Sequence, residues 1–271
     1  MAEMNVYRNH LSVATWLVLA SLSMGMLVRL PERVYTLWAF GSPVDFRVSG
    51  AFLAGLIALA ATWAGLEAAL RTHPRRDLLR QTYRFWGLPS AITLAGAALL
   101  PTLPTPTLWV LILGGVGAAL AASMAGEYHT IDVHDPAYPQ ARWLLNMLAY
   151  LMAALAFILI YLSRSRSLIS ATLIALTAGM LALDLLRGSG ARTGEIFLIS
   201  ALIAFILAQF TVMLNYWPFP SIRVALTLLV IFYLLVGLTQ AHLRQTLTRR
   251  QLFEYLFMSG IAMLVIIAFP K

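Results

Sequence analysis

Long apolar runs separated by short polar interruptions dominate the chain. They fall at about 11–30, 50–70, 86–100, 107–126, 143–162, 168–186, 195–214, 221–241 and 252–269. A hydrocarbon core of about 30 Å needs about 20 helical residues, and most of the runs have that length. They lack the period-two alternation of barrel strands, so no strand is expected. The pattern predicts an all-α fold: one domain over 1–271, a polytopic transmembrane helix bundle of nine spans. The third run is the shortest, and Pro89 and Pro101 bracket it, so it is the span expected to be broken or tilted. The segment VYTLWAF, 34–40, is expected to lie flat on the outer leaflet. Arg8 and His10 precede the first run, and no small-residue cleavage site follows it. It therefore reads as an uncleaved span and not as a signal peptide.

Composition supports this picture. Hydrophobic residues make up 61% of the chain and charged residues 11%, with a mean hydropathy of +0.81. A soluble domain carries about a quarter charged residues, so lipid must solvate much of this one. The absence of cysteine excludes disulfides, thiolate metal sites, iron–sulfur clusters and cysteine nucleophiles. The net charge is +8, but no basic stripe is interleaved with aromatics for stacking. Nucleic acid is not an expected partner; membrane lipids are. With a cytoplasmic N-terminus, the inner segments hold twelve basic residues and the outer ones seven, which favours N-in and C-out. All five histidines, and all acids but Glu32 and Asp45, then face the cytoplasm.

Two short matches suggest a duplication. LIALAATWAGLE at 56–67 resembles LIALTAGMLALD at 173–184, and LPTPTLWV at 103–110 resembles WPFPSIRV at 217–224. Both place helices 1–4 over helices 5–8, as parallel repeats 11–126 and 143–241 with an extra helix at 252–269. The alignment sets Glu67 against Asp184 as paired acids. Glu67 precedes Arg71 by four residues and Asp184 precedes Arg187 by three, so each can form an ion pair on its own helix. Two carboxylates facing one cavity are the functional alternative.

Charge is absent from the middle of every run. Gln209 is the most polar central position and the candidate intramembrane polar group. No run carries a lysine for a retinal Schiff base or a histidine pair at depth for haem, and no cofactor is expected. Gly114, Ala118, Ala122 and Gly126 recur every fourth residue, and Ala61, Gly65 and Ala69 do the same. Such ridges let helices pack closely, inside the monomer or against a homo-oligomer or protein partner. Trp38, Trp109, Trp143 and Trp217 stand near run ends, where interfacial anchoring explains them.

The wettest stretch is GEYHTIDVHDPAYPQARW, 126–143, which holds Glu127, His129, Asp132, His134 and Asp135. Five oxygen and nitrogen ligands in nine residues form a candidate cytoplasmic polar cluster that zinc or manganese could accept. The spacing matches no standard metal motif, and Asp135-Pro136 and Tyr138-Pro139 read as turn chemistry. A solvated connector is the preferred reading and no metal is assigned; the two histidines could also sense pH. GxSxG, Walker, aspartate-rich prenyl-diphosphate and paired-glutamate protease patterns are missing.

Asp135-Pro136, Tyr138-Pro139 and Ala141-Arg142, with RSLISAT at 166–172, Leu186-Arg187 and NYWP at 215–218, carry a resemblance. Residues 126–260 resemble an uncharacterised family of multi-pass membrane proteins known mainly from green non-sulfur bacteria. The resemblance implies a bacterial inner-membrane protein and brings no activity or binding residues. Three functional readings stand. The preferred one is an accessory or scaffold subunit of a membrane assembly. The others are a carrier for a neutral or lipid-like substrate, and a membrane enzyme acting on lipid headgroups with the residues of 127–135.

Overall fold

The nine apolar runs become nine helices among the described residues, which are 2–28, 31, 33–39, 42–75, 81–163, 166–217 and 219–268 of a computed structural model. They are α1 (Ala2–Leu27), α2 (Gly50–Arg71), α3 (Gly87–Leu99), α4 (Pro106–His129), α5 (Tyr138–Leu162), α6 (Ser167–Arg187), α7 (Thr193–Asn215), α8 (Ser221–Leu243) and α9 (Arg249–Ala268). Seven of them, α2 and α4 to α9, are long and apolar enough to cross a membrane. The protein is thus an all-α, multi-pass membrane chain. The third run is the short one: α3 has 13 residues and passes into a 3₁₀ turn, Leu100–Thr102, with Pro101 inside it. At 1.5 Å per residue it reaches about 20 Å, less than a bilayer core. α1 has 26 residues, but Glu3, Asn5, Arg8, Asn9 and His10 occupy its first turns, so its apolar part begins near Leu11.

Local chemistry sets several helix starts. The Ser49 hydroxyl accepts from the Phe52 N–H and caps α2, and Thr105 does the same for Leu108 ahead of α4. Pro106 follows as the first residue of α4, where a missing N–H costs nothing.

The expectation that no strand would form is corrected. Arg33–Ala39 (β1) and Ser42–Val48 (β2) pair as an antiparallel hairpin, with Arg33 opposite Val48 and Ala39 opposite Ser42. The stretch expected to lie flat on a leaflet is largely β1. Val34, Tyr35, Thr36 and Trp38 face Arg47, Phe46, Asp45 and Pro43 across the ladder. Aromatic and β-branched residues favour that extended pairing.

The chain divides into two compact units: Met1–Thr82 with Ile92–Tyr138, and Tyr83–Ala91 with Pro139–Lys271. In the first, α1 lies along α2, and α4 packs against both. Small residues make this possible. A Cβ on Gly65 would collide with the Cβ of Ala14, and one on Gly117 would stand 2.8 Å from a Leu19 methyl. Val18, Ala58, Leu66, Leu120 and Met124 are fully buried here. The buried hydroxyls of Thr62 and Thr93 bond each other at 2.8 Å, which satisfies two polar groups that would be costly in an apolar interior.

In the second unit α6 lies along α7, and α8 packs on α6, α7 and α9. α5 joins through rings: Phe157 meets Phe232 edge-on at 6.0 Å, and Tyr150 packs on Phe232 and Tyr233. Phe157, Phe232, Ile174, Leu181 and Leu207 form its buried centre. The two units do not pair their helices alike: the closest couple is α1 with α2 in one and α6 with α7 in the other.

Candidate functional site

The polar stretch after α4 folds into a set of local turns. The Asp135 N–H bonds the Asp132 carbonyl at 3.2 Å, and the Tyr138 N–H bonds the Asp135 carbonyl at 2.9 Å. Asp135 Oδ1 also accepts from the Ala137 N–H at 2.8 Å, a turn geometry that aspartate favours. These turns carry the side chains into two groups. Nδ1 of His129 lies 2.8 Å from Oδ2 of Asp135. Asp132 bonds Arg75 at 3.0 Å through one oxygen, and the His134 N–H at 3.0 Å and its Nδ1 at 3.3 Å through the other.

Three residues from elsewhere in the first unit complete the cluster. The Tyr7 ring stacks on Tyr128 with centroids 3.8 Å apart, and the buried His73 meets Tyr128 edge-on at 4.7 Å. His73 Nδ1 accepts from the Arg75 N–H at 3.1 Å, so the proton of the neutral ring sits on Nε2. The cluster ties the start of α1, the segment after α2 and the segment after α4 together. Sequence reasoning did not find Tyr7, His73, Arg75 or Tyr128 as members.

The electrostatics follow from these contacts. Burial of Asp135 works to raise its pKa, but the bonds from His129 and the Ala137 N–H outweigh it and hold the carboxyl below its usual range. Asp135 is therefore ionised at neutral pH, and His129 Nδ1 is the donating nitrogen. The His134 backbone N–H lowers Asp132, with help from Arg75. Burial lowers His73, against the pull of Asp132 and Asp135.

The sign of the pH effect is fixed by His73. Its depressed value means that the unfolded chain binds its proton first, so the associated stability is complete above about pH 6.5 and drains away as pH falls below that. Protonation also removes the acceptor used by the Arg75 N–H. The melting temperature in detergent should therefore fall by a few degrees from neutral pH to about pH 5. His73→Asn, which keeps an acceptor and cannot titrate, should flatten that slope. An unchanged slope in the variant would remove His73 from the account.

The five residues expected to act together do not share one surface. Glu127 is fully buried, whereas the His134 side chain is 84% exposed. Among the described residues no three histidine or carboxylate side chains gather around a point that could hold a metal ion. What the geometry offers instead is an Asp135–His129 pair and an Asp132 carboxylate shared between Arg75 and His134.

The paired acids lie in different units. Glu67 bonds Arg71 at 2.9 Å at the surface, and the buried Asp184 meets Arg187 at 3.3 Å. The local ion pairs expected from spacing are present, and Asp184 stands in a larger arrangement that spacing does not reveal. Arg142, at the start of α5 and 7% exposed, donates Nη2 to the carbonyls of Asp184 and Leu185 at 2.7 and 2.5 Å. Gln240 donates to the Leu185 carbonyl at 2.8 Å. Arg187 lies 4.2 Å from the Phe85 ring centroid and donates to the Arg84 carbonyl at 3.3 Å. Burial, and then the like charge of Arg187, lowers the Arg84 pKa. One cationic donor, Arg142, and one neutral donor, Gln240, thus meet carbonyls in the last turn of α6, which have no partner within the helix and sit at the negative end of its dipole.

The small-residue ridges separate. On α2, Gly65 packs on Ala14 and Ala69 is fully buried. On α4, Gly126 is buried and Ala122 is half-buried, but Gly114 and Ala118 are exposed. A Cβ on Gly114 or Gly115 would meet nothing within 4 Å. Gln209 lies on the exposed side of α7, with Leu202 and Phe205 toward one end of that helix and Met213 toward the other. It does not line an internal path. Trp143 and Trp217 are exposed near their helix ends, as anchoring requires, while the Trp38 side chain lies outside the described residues.

No curated protein and no solved structure matches the chain. One family model does, over residues 30–269, a longer stretch than the half-chain resemblance read from the sequence. On that match the chain belongs to the family described as protein of unknown function (DUF5656).

Proposed function

We propose that the protein is an accessory or scaffold subunit of an assembly in a bacterial inner membrane, with a cytoplasmic N-terminus and nine crossings, the third made by the short α3 together with the 3₁₀ turn that follows it. The observation that carries this reading is the open ridge on α4. Gly114, Gly115 and Ala118 present bare backbone on an exposed helix face, where a second helix can approach closely and gain dispersion contacts that lipid chains do not supply. Gln209 adds to it. An exposed carboxamide on a membrane helix is best satisfied by a polar group on another helix. The polar cluster after α4 spends its charges on its own members, which suits a brace more than a reaction centre.

The test is the size of the native complex. Gly114→Leu with Ala118→Leu should weaken association roughly tenfold, on the order of 1.4 kcal/mol, and shift the gently solubilised protein to lower mass. Its melting temperature should not drop, since a Cβ on Gly114 meets nothing within 4 Å and Ala118 is exposed. If the wild type is already monomeric in native membranes, or the double variant keeps the full mass, the subunit reading fails.

A further inference from the structure

We propose that the second unit binds one phospholipid, with its phosphate in a polar chamber and an acyl chain in an adjoining apolar groove. The chamber lies where α5 and α7 finish and α6 and α8 begin. Its volume is about 470 Å³, and Tyr161, Ser167, Ser170, Asn215 and Ser221 supply its polar wall. The groove, about 280 Å³, runs between α7, α8 and α9 and is lined by Phe210, Met213, Ile231, Met263 and Ile267 among others. The two spaces share Leu214, Trp217 and Phe219. A polar space and an apolar space with a common wall, on helices built to cross a bilayer, fit an amphiphile.

The polar wall selects the headgroup. Among the described residues neither lining contains a carboxylate, and Arg223 stands on the groove wall. Asn215 Nδ2 donates to the hydroxyls of Ser167 and Ser170 at 2.9 and 3.2 Å, and the Ser167 hydroxyl is left with its own proton to donate. Ser167 and Ser221 are the first residues of α6 and α8, and neither helix has a side-chain cap. The wall keeps the Ser167 and Ser221 hydroxyls to donate and, among the described residues, holds no anionic acceptor, which suits a group that only accepts, as an ionised phosphodiester does. Trp217 and Phe219 stack with centroids 5.4 Å apart and form the divider at headgroup depth, where aromatic rings are favoured.

The experiment is titration of the delipidated full chain, in a neutral sugar-based detergent, followed by native mass spectrometry. The probes are phosphatidylglycerol, diacylglycerol with the same chains, and inorganic phosphate. The expected result is one phosphatidylglycerol bound at least tenfold more tightly than diacylglycerol, with no retention of free phosphate. Ser221→Asp should abolish that preference by setting a carboxylate against the phosphate. An acid at the start of α8 stabilises the helix, so loss of binding there is not loss of fold. Thr227→Phe, which fills the groove, should weaken both lipids together. Equal binding of the two lipids, an unaffected Ser221→Asp, or tight binding of phosphate alone would each overturn the assignment.

Discussion

Replacing Arg142 by leucine should destabilise the protein by about 1.5–3 kcal/mol, the range for hydrogen bonds made by a charged group. The guanidinium is almost wholly buried, and its Nη2 serves two carbonyls at the end of α6. Those carbonyls belong to the last turn and have no acceptor role within the helix. Without Arg142 they would be left in an apolar surrounding with fewer donors, beside the buried carboxylate of Asp184. Unfolding followed by tryptophan fluorescence in detergent should show the loss. Arg142→Lys should recover only part of it, because the shorter lysine chain stops short of the place from which Nη2 serves both carbonyls. Gly188→Val offers an independent route to the same defect: its Cβ would stand 2.5 Å from Nε of Arg142 and would displace the guanidinium. A wild-type melting temperature in Arg142→Leu would show that the bonds contribute nothing net.

The second large effect is expected at Gly65. Leucine there should part α1 from α2, because even a methyl group collides with Ala14. Overpacking of this kind costs about 1–3 kcal/mol and more when backbone must move. The collision includes the Ala14 Cα, 3.2 Å from the ideal Cβ, so backbone has to yield. The design of the contact allows a compensation test. Gly65→Ala combined with Ala14→Gly moves the methyl group from one helix to the other and should restore most of the stability lost by Gly65→Ala alone. Additive losses in the double variant would mean that the two positions are not in contact.

These two sites show what the sequence makes legible. The long apolar helices were readable because length and hydropathy alone define them, and the element that broke the pattern is the hairpin at 33–48. VYTLWA and PVDFRV carry strong strand propensity around a Gly-Ser pair, a signal hidden by treating the stretch only as a membrane-surface segment. Ion pairs three and four residues apart, Glu67 with Arg71 and Asp184 with Arg187, were readable because one helix fixes both partners. Arg142 with Asp184, and Tyr7 with Tyr128, were not: local spacing carries no information about groups brought together by tertiary packing. The ridges make the same point. Four-residue spacing marks Gly65 and Gly114 alike, yet one packs on Ala14 and the other is open. Periodicity gives a helix a face, and only its neighbours decide where that face turns.

The division of α3 has a consequence for how the protein is made. Residues Tyr83–Ala91 belong with the second unit, although the ribosome completes them before Ile92–Tyr138 of the first. Phe85 and the Arg84 carbonyl, which receive Arg187, leave the ribosome about a hundred residues before that arginine is synthesised. Gly87, whose ideal Cβ lies 2.8 Å from the Met180 carbonyl, waits as long for its neighbour. During translation this short segment must persist without its partners while α4 and α5 enter the membrane. No single cut yields two complete pieces: a fragment that begins at Pro139 lacks the seat for Arg187, and one that ends at Tyr138 carries that seat unfilled.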